Sequence, residues 1–359
     1  MNGRLPALLL FTLACACAGT SCRRAGPAKP LIGIAAQGAG GAFATACLAA
    51  AERGAEGRAE LAVMDGKGDS AAQLAQLGLL IERKASSLIA SAASGADAAG
   101  LIAAAKARNV PLVLMGEQPR IEDLRGWDKV LYVGHSGTQA AAAQGALLAA
   151  AWKASPAFDA NRDGRMRLVF AGPWTAGTAR ARGDAAPGAG TRKAAPSPAD
   201  KGAGAQDPVE ERRQACIDAL AAAGVKVEAV EARGAAALAA LVPASGPRAE
   251  AVAADDPESA AAVVSLLETA GLMKGRSRVP VVLIRTDAPG PAAGELEAAG
   301  LAGEVSGDPG AVGKTAVEAA YAFAFRRDVL DSGFAVADGK NVLLPCVATL
   351  ASDFRPATK

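Results

Sequence analysis

Residues Phe158 to Phe170 read FDANRDGRMRLVF, and two patterns that rarely occur together meet in them. Asp159, Asn161 and Asp163 stand two apart, and Gly164 follows. A twelve-residue EF-hand loop begins in this way, with oxygen donors at positions 1, 3 and 5 and a sharp turn at glycine 6. Such a loop ends on a bidentate glutamate at position 12, where this chain has Phe170. The second half, MRLVF, is an apolar run of strand type. Half a calcium site is therefore followed by a strand, and the rest of the chain must explain why.

On either side of this stretch the pattern is regular. LIGIAA, AELAVMD, SSLIAS and VPLVLMG are short apolar runs. Each is followed by an alanine-rich segment with helical periodicity, as in AFATACLAAAERGA and DAAGLIAAAKARN. Runs of five or six apolar residues alternating with helices of ten to fifteen predict βαβ units and a parallel sheet buried on both faces. After a loop containing Trp127 the pattern restarts with VLYVG and continues through MRLVFAG, VKVEAV, AEAVAA, VPVVLI and LAGEVSG. The expectation is an α/β protein of two doubly wound parallel-sheet lobes. One stretch breaks the rhythm. Arg180 to Pro208 is almost all Ala, Gly, Pro, Ser, Lys and Asp. It cannot bury enough apolar area to offset its ordering entropy and is read as a disordered insertion, 180–208, in the second lobe. The Arg182-Gly183-Asp184 tripeptide within it is read as coincidence of composition.

Bulk composition narrows the function. The chain has 359 residues, enough for two cores, with 51% apolar and 4% aromatic residues and a net charge of +2. Both signs of charge are interspersed, so no footprint for nucleic acid is present. The single histidine, His135, excludes a multi-histidine metal site and is read as a loop residue. No nucleophile–base pair or cofactor motif is evident, which argues against an enzyme. The N-terminus reads as an export signal over 1–22. Arg4 provides a positive start, LPALLLFTLA an apolar stretch, and small residues follow. Cys15, Cys17 and Cys22 cluster behind it. Small residues before such a cysteine resemble a bacterial lipoprotein signal, with Cys17 as the acylated residue and 23–29 as a linker. An ordinary cleaved signal is the alternative.

Two nucleotide-type motifs fail on detail. GAGGAF (Gly38 to Phe43) follows a first strand, but the third glycine of a dinucleotide fingerprint would fall at Phe43. GAVGKT (Gly310 to Thr315) looks like the end of a phosphate loop, but the first glycine of that motif would stand at Asp308. Its expected role is a helix start.

Export signal, two α/β lobes and a calcium-like half loop together resemble the periplasmic galactose/glucose-binding proteins of sugar ABC transporters. RNVPLVLMGEQP, WDKVLYVG, AWKASPAFDANRDG, GLAGEVSGD and NVLLPCVATLASDF match that family in order and spacing. The resemblance implies a type I periplasmic-binding-protein fold, its lobes joined by a three-crossover hinge. One lobe would span 30–114 plus 308–339, the other 115–306 plus 340–357. It also implies an answer to the half loop, because in that family the last glutamate comes from a remote strand of the same lobe. Here that residue is Glu250. The implied calcium ligands are then Asp159, Asn161, Asp163, the carbonyl of Arg165, and Glu250. Position 9 departs from the family pattern, being Arg167, a cation where an oxygen donor belongs. Either water replaces the donor and Ca2+ binds, or the guanidinium pairs with the acidic loop in its place.

The same resemblance places a small-molecule ligand between the lobes. The positions that carry over are Phe43, Ser91, Asp256 and Asp287, with Arg180 or Arg182 for the family's arginine, Arg182 being preferred, and Trp174 entering from a neighbouring loop. Several of the family's sugar contacts are missing. Each unmade hydrogen bond to a buried hydroxyl costs about 1–3 kcal/mol, and micromolar affinity totals only about 8 kcal/mol. Unaltered glucose or galactose binding is therefore not expected. The implied function is a monomeric, lipid-anchored solute-binding protein with an altered carbohydrate-like ligand, working with an ABC permease. The alternative is a degenerate scaffold serving as a sensor or protein-interaction component.

Overall fold

The computed structural model describes residues 29–172, 208–232, 248–274, 278–327 and 333–354. The export signal with Cys17, Trp174, Arg182 and all of the insertion but Pro208 lie outside these residues.

The first lobe alternates β1 (Leu31–Ala36), α1 (Ala42–Ala55), β2 (Glu60–Asp65), α2 (Ser70–Glu82), β3 (Ser87–Ala92), α3 (Gly95–Ala107), β4 (Leu112–Gly116), α4 (Ile121–Arg125) and β5 (Val130–His135). The second lobe follows with α5 (Gly137–Ala154), β6 (Arg165–Ala171), α6 (Pro208–Ala222), β7 (Lys226–Ala232), β8 (Ala251–Ala254), α7 (Pro257–Thr269), β9 (Val281–Arg285), α8 (Ala293–Ala298) and β10 (Gly303–Ser306). The chain then returns through α9 (Pro309–Ala324), β11 (Val336–Ala337) and β12 (Asn341–Leu344), and finishes with β13 (Val347–Leu350).

Every strand expected from the apolar runs is present. The first sheet has the order β11-β12-β5-β4-β3-β1-β2 and the second β13-β10-β9-β8-β6-β7. Among these strands only β11 and β13 pair antiparallel. Both sheets therefore wind outward from their first strand in the same sense, which is the two-lobe α/β architecture expected. Alternation along the strands sends side chains to two faces. Ile32, Ile34, Val113, Leu131 and Val133 pack with α1 and α9 on one face of the first sheet. Leu88, Ala90, Leu112, Leu114 and Tyr132 pack with α2 and α3 on the other.

Sheet membership corrects the lobe boundaries. The sequence places VLYVG within 115–306, yet β5 pairs β4 in parallel, Leu112 opposite Val130, inside the first sheet. Asn341–Leu344 is likewise placed in the second lobe, yet β12 lies beside β5, Asn341 opposite Tyr132. A buried strand reads the same in either sheet, so periodicity could not assign these two. The crossovers between lobes lie at Ser136, at Gly307–Asp308 and at Pro345–Cys346.

GAVGKT is a helix start, as expected. Asp308 caps α9, its Oδ1 accepting from the Ala311 N–H at 3.0 Å. Gly313 has a packing role. A Cβ there would run into the Cys47 carbonyl oxygen of α1. The second lobe repeats the device, with Gly145 of α5 against the Cys216 carbonyl of α6. Burial pushes both thiols up to about 12, so they stay protonated and act as small apolar residues.

Candidate functional site

Ligands of open α/β sheets bind outside the carboxyl ends of the strands. Here those ends from both sheets meet at the crossovers, where the Asp308 N–H after β10 reaches His135 at the end of β5. The described residues expected to touch ligand stand at or just beyond such ends: Phe43 in the first turn of α1 after β1, Ser91 within β3, Asp256 as the helix cap after β8 and Asp287 in the turn after β9.

On the first-lobe side, Phe43 opens α1 and is half-buried against the apolar face beneath it. Ser91 Oγ accepts from the Gln37 N–H at 2.7 Å, so its hydroxyl shapes the β1–α1 turn. Asp65, at the end of β2, supports the same turn by accepting from the Ala39 and Lys67 N–H groups at 3.0 and 2.9 Å. Beneath them Gln73 donates to the Ala35 and Ser91 carbonyls at 2.9 and 2.7 Å. In the second lobe Gln144 bridges the Ala254 and Val282 carbonyls in the same way, at 2.9 and 2.8 Å. The floor of each half is thus tied across strand ends by one buried amide.

On the second-lobe side the residues differ from the expectation. Asp256 is engaged as the cap of α7, its Oδ1 accepting from the Ser259 N–H at 2.8 Å. Its neighbour Asp255 is the distinctive group. It lies over Gly172, where a Cβ would overlap Asp255 Oδ1, and that oxygen is buried with no hydrogen-bond partner among the described residues. Burial raises this carboxyl from 3.8 to about 7, with Arg212 pulling it back and Asp256 adding to the rise. Arg212 is the arginine the structure brings to this half. It stands on α6, behind the insertion, with its stem over Gly137 at the start of α5. The sequence reading missed it because the insertion displaces it from the stretch where an arginine was sought. Asp287 is exposed in the turn after β9.

The sign of Asp255's effect on stability follows from linkage. The folded pKa lies above the unfolded value, so its contribution is greatest below about pH 4, falls as pH rises to about 7, and is level above that. Asp255→Asn is expected to remove this slope and to stabilise the protein at pH 8 by on the order of 2 kcal/mol. Urea unfolding at pH 5 and pH 8 checks it. A slope unchanged by the substitution would show that this carboxyl ionises in the ordinary range.

The half calcium loop has the local form of a calcium turn. Asp159 Oδ2 accepts from the Gly164 N–H at 3.0 Å, Asn161 Oδ1 from Asp163 at 2.9 Å, and Asp163 Oδ1 from Arg165 at 2.7 Å. Gly164 turns at φ 73°. Glu250 reaches the loop from just before β8 and is 3% exposed. Its carboxylate is filled by backbone donors. Oε1 accepts from Ala160 and Asn161 at 2.8 and 3.3 Å, and Oε2 from Arg167 at 3.0 Å. Among the described residues no group of three or more His, Cys, Asp or Glu side chains gathers closely enough to hold a metal ion. Asp159 Oδ1 is buried with no hydrogen-bond partner among the described residues. The expected pairing of Arg167 with the acidic loop needs correction, because its guanidinium pairs with Glu228 of β7 at 2.7 Å instead. Arg167 lies opposite Glu228 in the register of β6 and β7, so the two side chains share a face of the sheet and only the Arg167 N–H reaches Glu250.

Comparison with known proteins follows the same lines. A family model described as periplasmic binding protein domain matches residues 32–326. The D-galactose/methyl-galactoside binding periplasmic protein of Haemophilus influenzae is 29% identical over 114 residues, which are 32% of this chain and 34% of that protein. The match thus spans about a third of that relative's length. An ABC transporter periplasmic solute binding protein from Actinobacillus succinogenes, solved with bound D-allose, superposes with a TM-score of 0.60 at 14% identity, covering 91% of this chain and 99% of that one. An ABC transporter solute binding protein from Bacillus halodurans, solved with bound myo-inositol, gives 0.57 at 17% identity, covering 92% and 97%. At these identities the structural likeness concerns the fold.

Proposed function

The chain belongs to the periplasmic binding protein domain family, and from that membership we propose that it is an exported solute-binding protein of an ABC transporter, taking a small polyhydroxylated ligand in the cleft between its lobes. The observation that carries this reading is the meeting of two sets of strand ends, lined by Phe43 on one side and by Asp255 and Arg212 on the other. An aromatic face stacks on the C–H side of a sugar or cyclitol. A carboxyl–guanidinium neighbourhood supplies both an acceptor and a donor for hydroxyls. The relatives solved with D-allose and myo-inositol support a polyol over a charged solute. Acylation at Cys17 would hold the protein at the outer face of the membrane beside its permease. No described helix is long and apolar enough to cross a membrane.

A thermal-shift panel of aldoses, cyclitols, linear polyols and nucleosides tests the reading. A ligand at 1,000 times its Kd adds about 4 kcal/mol to stability, so one class is expected to raise Tm clearly. Phe43→Ala should weaken that binding by about 1–3 kcal/mol. A panel without response would favour the scaffold reading. That reading draws on Ser91 and Asp256 being already engaged by backbone N–H groups.

A further inference from the structure

His135, read from the sequence as a loop residue, ends β5, is 8% exposed, and lies where the three crossovers meet. Its own residue leads into the first, at Ser136. Its Nε2 stands 3.2 Å from the Asp308 N–H in the second, and its Nδ1 stands 3.1 Å from the Leu344 carbonyl at the start of the third. Gly307 leaves room for the ring, since a Cβ there would sit 2.6 Å from Nε2. The partners determine the tautomer. A carbonyl oxygen only accepts, so Nδ1 carries the proton, and a backbone N–H only donates, so Nε2 presents its lone pair.

We propose that His135 is a proton-sensitive pin of the interlobe hinge: neutral, it ties the three crossovers together, and protonated, it lets go of the Asp308 N–H and loosens the second crossover from the first. The protonated ring has a hydrogen on Nε2 facing the N–H hydrogen, and no rotation restores both contacts, because the Leu344 carbonyl holds the other nitrogen. The crossovers are the segments whose dihedral angles change when lobes open and close, so the pin acts on that equilibrium. This inference goes beyond the ligand reading and does not require that any ligand be known.

The groups facing the ring decide the pH window. Burial disfavours the protonated ring most strongly, the Leu344 carbonyl and the Asp308 carboxylate before α9 favour it, and His135 is lowered from 6.5. The Tyr132 hydroxyl stands 3.0 and 3.4 Å from the Gly116 and His135 carbonyls and, being raised by burial, stays protonated through the window. The Cys346 thiol on the third crossover is raised by burial and also stays neutral. Glu117 after β4, which acts on Tyr132, and Asp287 after β9 are further charged groups at these strand ends. With the folded pKa below the unfolded one, the pin is intact above pH 6.5. Its stabilisation declines as pH falls below 6.5 and levels once the folded ring is protonated.

Because the chain has one histidine, its imidazole can be followed without assignment. Two-bond nitrogen–proton NMR spectra of the 15N-labelled full chain should show the Nδ1–H tautomer at pH 8 and a titration midpoint below 6.5. Small-angle scattering of the same ligand-free protein from pH 8 to 4.5 should show the radius of gyration shifting with that midpoint, and His135→Gln should lose the shift. An Nε2–H tautomer, a midpoint at or above 6.5, or scattering that does not change through the imidazole titration would overturn the proposal. So would a shift that persists in His135→Gln. If that variant fails to fold, the wild-type midpoint comparison still decides.

Discussion

Glu250→Ala is expected to lower the unfolding free energy by about 3–5 kcal/mol. The substitution leaves three backbone donors, at Ala160, Asn161 and Arg167, without their shared acceptor. A buried donor left unmade costs about 1–3 kcal/mol, and water recovers part of this at Ala160 and Asn161, which are exposed. Glu250→Gln keeps one oxygen and turns an amide NH2 toward a donor, so a loss of about 1–2 kcal/mol is expected. Urea unfolding by circular dichroism measures both. A chelator decides what balances the charge. With the carboxylate satisfied by N–H groups and Arg167 engaged by Glu228, excess chelator should leave the Tm of wild type unchanged. A fall in Tm on chelation, restored by Ca2+, would show instead that a cation draws Asp159, Asp163 and Glu250 together.

Gly313→Ala is expected to cost about 3 kcal/mol, and Gly145→Ala a similar amount. In each case the added methyl meets a helix backbone carbonyl, Cys47 or Cys216, and not the end of a flexible side chain. Whole helices must separate to admit it, which puts the cost at the upper end of the usual 1–3 kcal/mol for overpacking. At roughly 2–4 °C per kcal/mol for a chain of this size, the melting curve shows it directly. Gly310→Ala is the control, since its Cβ would meet only Asp308 Oδ1, at 3.1 Å. A phosphate-loop role for GAVGKT predicts the opposite order, with Gly310 the sensitive position. Equal melting temperatures for Gly313→Ala and wild type would sink the packing argument.

The alternation of strand and helix was legible in the residues, because buried strands are apolar runs and surface-covering helices show 3.6-residue periodicity. Both are local consequences of which side of a segment faces water. The half loop at Asp159 to Gly164 was legible for a related reason. Its turns are made by side chains bonding backbone two to five residues away, so residue type and spacing determine them. Those features, with the order of the matching stretches, sufficed for the two-lobe fold and the family.

Tertiary structure decided what depends on partners distant in sequence. Whether VLYVG closed the first sheet or opened the second rested on its pairing with β4 and β12, and β12 lies more than 200 residues away. Asp255 and Asp256 are chemically identical in sequence. One became a helix cap and the other a buried carboxyl beside Arg212 only because β8 ends beneath Gly172. Glu250 was aimed at the loop in either reading, but only the register of β6 brings the Arg167 N–H to it and sends the Arg167 side chain to β7. His135 carried no local signal, because the residues that hold it are 173 and 209 positions distant. Periodicity reports the average polarity of a face. The partner of a given polar atom is settled when the sheets close and the crossovers meet.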